Sequence, residues 1–504
     1  MNRQTKLLRH LNTIYAAAQK SDDGQRCMVA PSPELQKKLK KDLASIRSRA
    51  TGTLSNFIRL REPTAVGLND GMIIPPDEFE LGTPSRVVRS AAAERAPLNG
   101  TVRIIVVLVD FSDKVMTRTQ AAFDKLFFSL GQMTTGSVRE YYREVTGGRI
   151  DIQGQVVGPY RMPRTLAQYA NGASGTGGAA PNAQTLARDA AVAANAAVNY
   201  APYDNDGNGY VDAFIVIHAG QGGEVTGSNN DIWSHKWVLS GGAYNADGTK
   251  IYAYLTVPED SKIGVCCHEL GHLLFGWPDL YDTDYSSEGL GNWCLMAGGS
   301  WNGGGDTPAH PCAWCKAGQQ WVTVVNQTTN AIVSIPDVKD AKKVWRLWTK
   351  GQIGNEYFLV ENRQRKLFDQ KLPGDGLLIL RVDDSIASNA DENHPKVALM
   401  QADGLKQLQQ GINRGDPGDP FPGTKNNKAF NSLSNPNSKT YAGTNSGVGV
   451  TQISASAPVM KARLTVKPQL ILPRKAGSRG KEPAKVLFNE KMLKQRATTI
   501  RIGK

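Results

Sequence analysis

Apolar and polar positions divide this chain into four regions. The longest unbroken aliphatic run, Ile104–Val109, lies in TVRIIVVLVDF and predicts a buried strand over 102–111. An amphipathic helix is predicted around 118–130 and a second over 136–145. A strand follows at 149–157, after Gly147-Gly148. The Ala-rich run 182–198 is helical by propensity, and Val211–His218 reads as another strand. A mostly apolar stretch from about Ile263 to Phe275 ends at Gly276-Trp277-Pro278. Gly can cap a helix in the left-handed region and Pro cannot continue one, so a helix should stop there. From about 325 to 466 short strand patterns dominate (AIVSI, KVWRLWT, YFLVENR, GLLILRVD, VALMQ, VTQISAS, KARLTV), separated by turn signals, which predicts an antiparallel β domain. Upstream, Pro31-Ser32-Pro33 opens a charged helical stretch over 34–49. Pro-rich connections and the linker SAAAERAPLNG (90–100) then lead to the first clear strand.

The predicted 263–275 helix carries the chemistry. His268, Glu269 and His272 form H-E-x-x-H, and residues four apart share a helix face, so two imidazoles can reach one Zn²⁺. Glu269, beside them, can take a proton from a water whose pKa the metal lowers. Acidic residues follow (Asp279, Asp282, Asp284), then Met296 in the Gly-rich turn LMAGGSW, placed as a Met-turn would be. Asp279 is the first choice for a third zinc ligand, with Asp282 and Glu288 as alternatives. A second acidic stretch, Asp204-Asn-Asp206-Gly-Asn208-Gly-Tyr210-Val-Asp212, has side-chain oxygens at positions 1, 3, 5 and 9 and the Tyr210 carbonyl at position 7. That spacing suits a Ca²⁺ loop, although the bidentate Glu of an EF-hand is replaced by Ile215. The other reading is an Asx-rich turn. His235, in WSHKW, is a candidate oxyanion stabiliser or a structural histidine between two Trp. His10 and His394 are expected to be solvent-exposed.

These motifs resemble the M6 peptidases, the immune inhibitor A-like zinc metalloproteases related to metzincins. HELGH…PDLYD…LMAGGSW looks like that family's signature. VVLVDFSD, GSVREYY, YDNDGNGYVDAFIVIHAG, IWSHKW, EYFLVENRQ, LPGDGLLI, QADG and DPFPG extend the likeness over roughly residues 100–466. One departure stands out: the family pattern H-E-x-x-H-x-x-G-x-x-D places Gly seven and Asp ten residues after the first His. Here Gly276 and Asp279 come eight and eleven after His268. Arg381 stands where the family often has His, so no role is carried to it. The resemblance implies a zinc-dependent endopeptidase acting on proteins or peptides. The fold class expected is α+β: a metzincin-like zinc peptidase domain (96–324) followed by an antiparallel β-rich part (325–466). An N-terminal extension (1–95) laid out like a prosegment precedes them, and a basic, poorly ordered tail (467–504) follows. A calcium-dependent binding protein on a peptidase scaffold is the alternative, and the intact Glu269 argues against it. Cys27, in Arg-Cys-Met-Val-Ala-Pro, loosely resembles the latency motif of matrix metalloproteases, whose thiolate takes the zinc's open position.

Length and composition set bounds. At 504 residues the chain can hold two or three domains, and 51 Gly make it loop-rich. The net charge of +13 belongs to the ends. Residues 1–50 hold eleven Lys and Arg against four Asp and Glu, and residues 467–504 hold eleven against two. Residues 51–466 are therefore slightly acidic, and no nucleic-acid-binding signature accompanies the basic ends. Binding of an anionic partner through those tails is a further alternative. No hydrophobic stretch is long enough to cross a bilayer. Residues 1–20 lack an apolar signal-peptide core because Arg9, His10 and Asn12 interrupt it, whereas the family resemblance implies secretion. Of six cysteines, Cys266, Cys267, Cys294, Cys312 and Cys315 cluster around the zinc-helix stretch. Cys312-Ala-Trp-Cys315 could be half of a zinc ribbon or a redox pair, but there is no second C-x-x-C. Pairing among the five is expected in an oxidising medium, and buried free thiols in a reducing one.

Overall fold

The computed structural model describes residues 29–47, 65–283 and 285–466. Cys27, His10, Asp284 and the basic 467–504 tail lie outside those residues.

Strand β1 (Gly100–Asp110) organises the first half of the chain. Its residues alternate sides, as the two-residue period of a strand requires. Val102, Ile104, Val106 and Leu108 enter one core, and Ile105, Val107 and Val109 enter the other. Parallel neighbours flank it: β2 (Ile150–Arg161) on one side and β3 (Phe214–His218) on the other. β5 (Ala253–Pro258) extends the sheet in parallel, and β4 (His235–Val238) closes it as an antiparallel edge, giving the order β2-β1-β3-β5-β4. The chain's first long helix is α1 (Pro33–Arg47); on the first face of the sheet lie α2 (Gln120–Phe128) and α3 (Val138–Thr146). α3 starts on a capping box between Ser137 and Glu140 and ends at Gly147 with φ 66°. α4 (Ala183–Ala194) covers the second face with Leu186, Ala187 and Ala190.

Helix α5 (Ile263–Phe275) has the bounds expected from the sequence, and all 13 residues are buried. Gly276, at φ 63°, provides the left-handed cap, and the Trp277 N–H reaches back to the Gly271 carbonyl. A side chain at Gly271 would meet Met296 Sδ at 2.6 Å, so the Met296 turn is pressed against α5.

After the short helix α6 (Ala313–Gly318) come two further sheets. The first contains β6 (Thr323–Asn326), β8 (Lys343–Trp348), β9 (Glu356–Arg363), β10 (Gly376–Asp383) and β11 (Val397–Leu399), in the order β11-β10-β9-β8-β6. The second contains β7 (Ala331–Pro336), β12 (Ala429–Phe430), β13 (Gly449–Thr451) and β14 (Val459–Thr465), in the order β12-β13-β14-β7. Pairing is antiparallel as expected, except that β6 runs parallel to β8. VTQISAS forms strand only as far as Thr451, and Gln452 turns the chain at φ 51°. The two halves share one core: Val344, Leu359, Leu378 and Leu380 pack in the same cluster as Leu270, Leu273 and Met296. The architecture is thus mixed α and β with several sheets. Among the described residues, no helix is long and apolar enough to cross a membrane.

Candidate active site

Three donor atoms converge at the C-terminal end of α5. His268 Nε2 lies 3.0 Å from Asp279 Oδ1 and 3.2 Å from His272 Nε2. His272 Nε2 is 3.3 Å from the same Asp279 oxygen. The far side of each ring is fixed: Nδ1–H of His268 donates to the Leu295 carbonyl at 3.0 Å, and that of His272 to the Trp277 carbonyl at 2.5 Å. A carbonyl can only accept, so the protons sit on Nδ1 and both Nε2 lone pairs point at the carboxylate. All three groups are buried, and acceptors this close repel unless they share a cation or a proton. A tetrahedral metal about 2.0–2.1 Å from each donor would space them by roughly 3.3 Å. The donor set and its spacing therefore suit a metal ion.

The charges agree with this geometry. Burial opposes ionisation of Asp279, yet the two imidazoles hold its carboxyl well below the usual range. Burial also opposes a charged His268, but Asp279 outweighs it and raises the pKa. At His272, burial prevails and lowers it. Glu269 lies beside the cluster with neither carboxylate oxygen in a well-formed hydrogen bond, and burial pushes its pKa up to about 8. A buried carboxyl without partners is unfavourable, so this side chain is held ready for a group that enters the site.

The extra residue before Gly276 is absorbed by letting α5 run on to Phe275, and the turn through Trp277-Pro278 still returns Asp279 to the histidines. The alternative ligands are engaged elsewhere. Asp282 accepts from Ser286 Oγ, Ser287 N and Ser287 Oγ at 2.8–3.0 Å. Glu288 pairs with Lys40 and accepts from Gln36 Nε2. His235 is buried in the sheet, with Nδ1 against the Trp233 carbonyl (2.7 Å) and Nε2 against Tyr254 Oη (3.0 Å), so both nitrogens have structural partners. His394 stays partly exposed while it stacks on Tyr441 and bonds Asp383 at 2.9 Å. Arg381 pairs with Glu356 and also covers the Tyr441 ring.

In the 204–212 loop, Asp204, Asp206 and Asp212 do cluster. Their oxygens, however, are satisfied locally. Asp204 accepts from Asn208 N and Gly209 N, Asp212 from Asn205 N, and Asn208 Oδ1 caps the Tyr210 N–H. Arg95 supplies the positive charge, pairing with both Asp212 and Asp206. Calcium at this loop is thus not supported, and the Asx-turn reading describes the geometry.

Sequence reasoning missed the groups that the N-terminal residues bring to the site. Asn69 Nδ2 donates to Asp279 Oδ2 (3.3 Å), and Asn69 also bonds the edge strand at Lys236 through its own N–H and side-chain oxygen. The Val29 backbone approaches the Glu269 carboxylate, and residues 29–32 are held by the elements around it. The Val29 N–H reaches the Ser234 carbonyl, and Trp233 Nε1 and Trp301 Nε1 donate to the carbonyls of Val29 and Ala30 at 2.8 and 2.7 Å. Arg414 holds the Pro31 carbonyl at 3.0 Å, and Ser32 N–H reaches the Glu224 carbonyl. Contacts separated by some 200 residues leave no periodic signal.

Residues 94–324 match the family described as immune inhibitor A peptidase M6, catalytic domain. A pre-pro-metalloprotease PrtV of Vibrio cholerae serotype O1 is 32% identical over 243 residues, 40% of this chain and 26% of that protein. Immune inhibitor A of Bacillus thuringiensis subsp. alesti is 33% identical over 204 residues, 34% of this chain and 30% of its own. The chain thus spans less than a third of the length of these relatives. The two histidines, the neighbouring glutamate and the aspartate on α5 and its following turn all lie within residues 94–324, the stretch that is similar to the M6 peptidase catalytic domain.

Proposed function

We propose that this protein is a zinc-dependent endopeptidase, with His268, His272 and Asp279 as the metal ligands. The observation that carries the reading is the convergence of three lone-pair donors beside the unengaged carboxylate of Glu269. Zn²⁺ held there would polarise the scissile carbonyl and lower the pKa of water. Glu269 takes the proton of the attacking water and returns it to the leaving amine. Leu295 and Trp277 fix the imidazoles through their carbonyls, and Asn69 orients Asp279 through its second oxygen. The relation to metzincins is part of this proposal, supported by Met296 beneath α5.

The Ser234 carbonyl accepts the Val29 N–H and the Glu224 carbonyl accepts the Ser32 N–H, so residues 29–32 run against the segment that precedes β4. The N-terminal region is accordingly proposed as a prosegment that holds the enzyme latent, with Cys27, two residues before Val29, as a thiolate ligand to the metal. In that case Cys27→Ser should release activity in the full-length chain; equal specific activity with the parent would rule the switch out. No calcium role is proposed, since Arg95 balances the acidic loop.

Zinc stoichiometry in three variants tests the ligand set. Asp279→Ala should lose zinc, and Asp282→Ala and Glu288→Ala should retain it. Full zinc occupancy in Asp279→Ala would refute the assignment.

A further inference from the structure

A second cluster of metal-ligating side chains lies away from the histidines. Cys294, two residues before Met296, meets Cys312 and Cys315 at the start of α6, and the three Sγ atoms all lie within 4.8 Å of one another. All three are buried and unpaired, as are Cys266 and Cys267. From this juxtaposition we propose that Cys294, Cys312 and Cys315 form a structural site for a thiophilic d¹⁰ cation, Cu⁺ or Zn²⁺. The ion would staple the Met296 turn to helix α6.

The spacing supports it. The Sγ atoms of Cys312 and Cys315 are 3.8 Å apart. A metal about 2.3 Å from each thiolate would separate two sulfurs by roughly 3.8 Å in tetrahedral and 4.0 Å in trigonal geometry. The hydrogen bonding supports it too. Cys294 Sγ accepts the Cys312 N–H at 3.3 Å, an arrangement that favours a thiolate and holds it in place. Charge is also provided for. Lys316 and Arg363, both buried, flank the cluster through Glu361, whose Oε1 takes the Ala313 N–H inside the C-x-x-C turn. Soft sulfur donors select Cu⁺ and Zn²⁺ over harder ions. Among the described residues no further His, Cys, Asp or Glu joins the three, which suits three-coordinate Cu⁺; zinc would complete its tetrahedron with a non-protein ligand. Loading forms three metal–sulfur bonds and releases the proton of each sulfur that still carries one, with no change of oxidation state.

The test uses the full chain, reduced under anaerobic conditions, freed of metal by a chelator, and titrated in two arms. In the first, Co²⁺ probes the zinc-type site, and a thiolate-to-cobalt charge-transfer band in the near ultraviolet is expected. The band should disappear in Cys312→Ser and, separately, in Cys315→Ser, yet persist in a His268→Ala/His272→Ala double variant. In the second arm, Cu⁺ is offered from a chromogenic competing chelator, and uptake of one equivalent is expected, again lost in both Cys variants. Either arm positive upholds the site, and their relative affinities identify the ion. Thiol counting after denaturation without added reductant covers the case in which a variant fails to fold. All six thiols should titrate in protein kept from air. A disulfide mapped between two of Cys294, Cys312 and Cys315 would overturn the proposal. So would absence of a thiolate band and of copper uptake in the parent chain.

Discussion

Removing the Leu35 side chain should unlock the cleft. Leu35 follows the segment that approaches Glu269, is 5% exposed, and packs so closely on Gly227 that a side chain there would meet Leu35 Cδ1 at 2.9 Å. Truncating a buried Leu to Ala costs about 2–5 kcal/mol. The segment lies on the surface of the catalytic domain, so the lower part of that range, about 2–3 kcal/mol, applies. The loss falls on the closed state alone, because once the segment has lifted, Leu35 is solvated with or without its side chain. Every 1.4 kcal/mol is a factor of ten, so the open population should rise about 30- to 150-fold. The assay is the initial rate of cleavage of fluorescently quenched casein by freshly purified full-length protein, before self-processing. Thermal melting of the same sample should confirm that the catalytic region is intact. A rate in Leu35→Ala equal to that of the parent, with unchanged melting, would show that residues 29–36 do not restrain activity.

Asn69→Ala should weaken zinc binding about 10- to 100-fold, the usual effect of losing a group that orients a metal ligand; competition with a zinc chelator measures it. Glu224 gives a pH signature. Burial pushes its carboxyl from an ordinary 4.5 to about 7, although Ser234 opposes the shift by donating through both N–H and O–H. The folded state therefore binds this proton more tightly than the unfolded chain, and stability should fall as pH rises from about 5 through 7, by about 3 kcal/mol in all. Glu224→Gln should remove that part of the slope in denaturant titrations at pH 5, 6.5 and 8; an unchanged slope would contradict the assignment. Arg363→Leu should destabilise the protein by about 3–5 kcal/mol, because it strips the buried Asp369 and Glu361 of a shared partner. A melting shift of no more than a degree or two would contradict that estimate.

Local patterns along the chain revealed most of the elements. The bounds of α5 follow from its apolar run and the Gly276 cap, and β1 from six aliphatic residues in sequence, because short-range constraints decide both. β6 escaped notice because TVVN is short and half exposed, and its parallel pairing with β8 has no local signature. In the site, the spacing of His268 and His272 was enough to place them together. Asp279, Asp282 and Glu288 stayed open as the third ligand, since the path of a turn through Trp277-Pro278 leaves no local pattern. Acidic spacing at 204–212 suggested calcium, and the cation beside that loop is Arg95, more than a hundred residues away in the chain. Asn69, Trp233 and the Val29 segment act through contacts between distant residues, where periodicity carries no information.

The central claim is a zinc site at which Glu269 moves the proton, and one paired measurement tests it most directly. Zinc content and casein cleavage are determined on the same preparations of parent and Glu269→Gln protein, each lacking residues 1–47 but keeping Asn69, and each with and without a chelator. The account predicts one zinc at the histidine site in both proteins, activity abolished by the chelator, and a loss of about 10²–10⁴-fold in Glu269→Gln. Cleavage at near-parental rate by zinc-loaded Glu269→Gln, or activity that survives complete removal of metal, would contradict it.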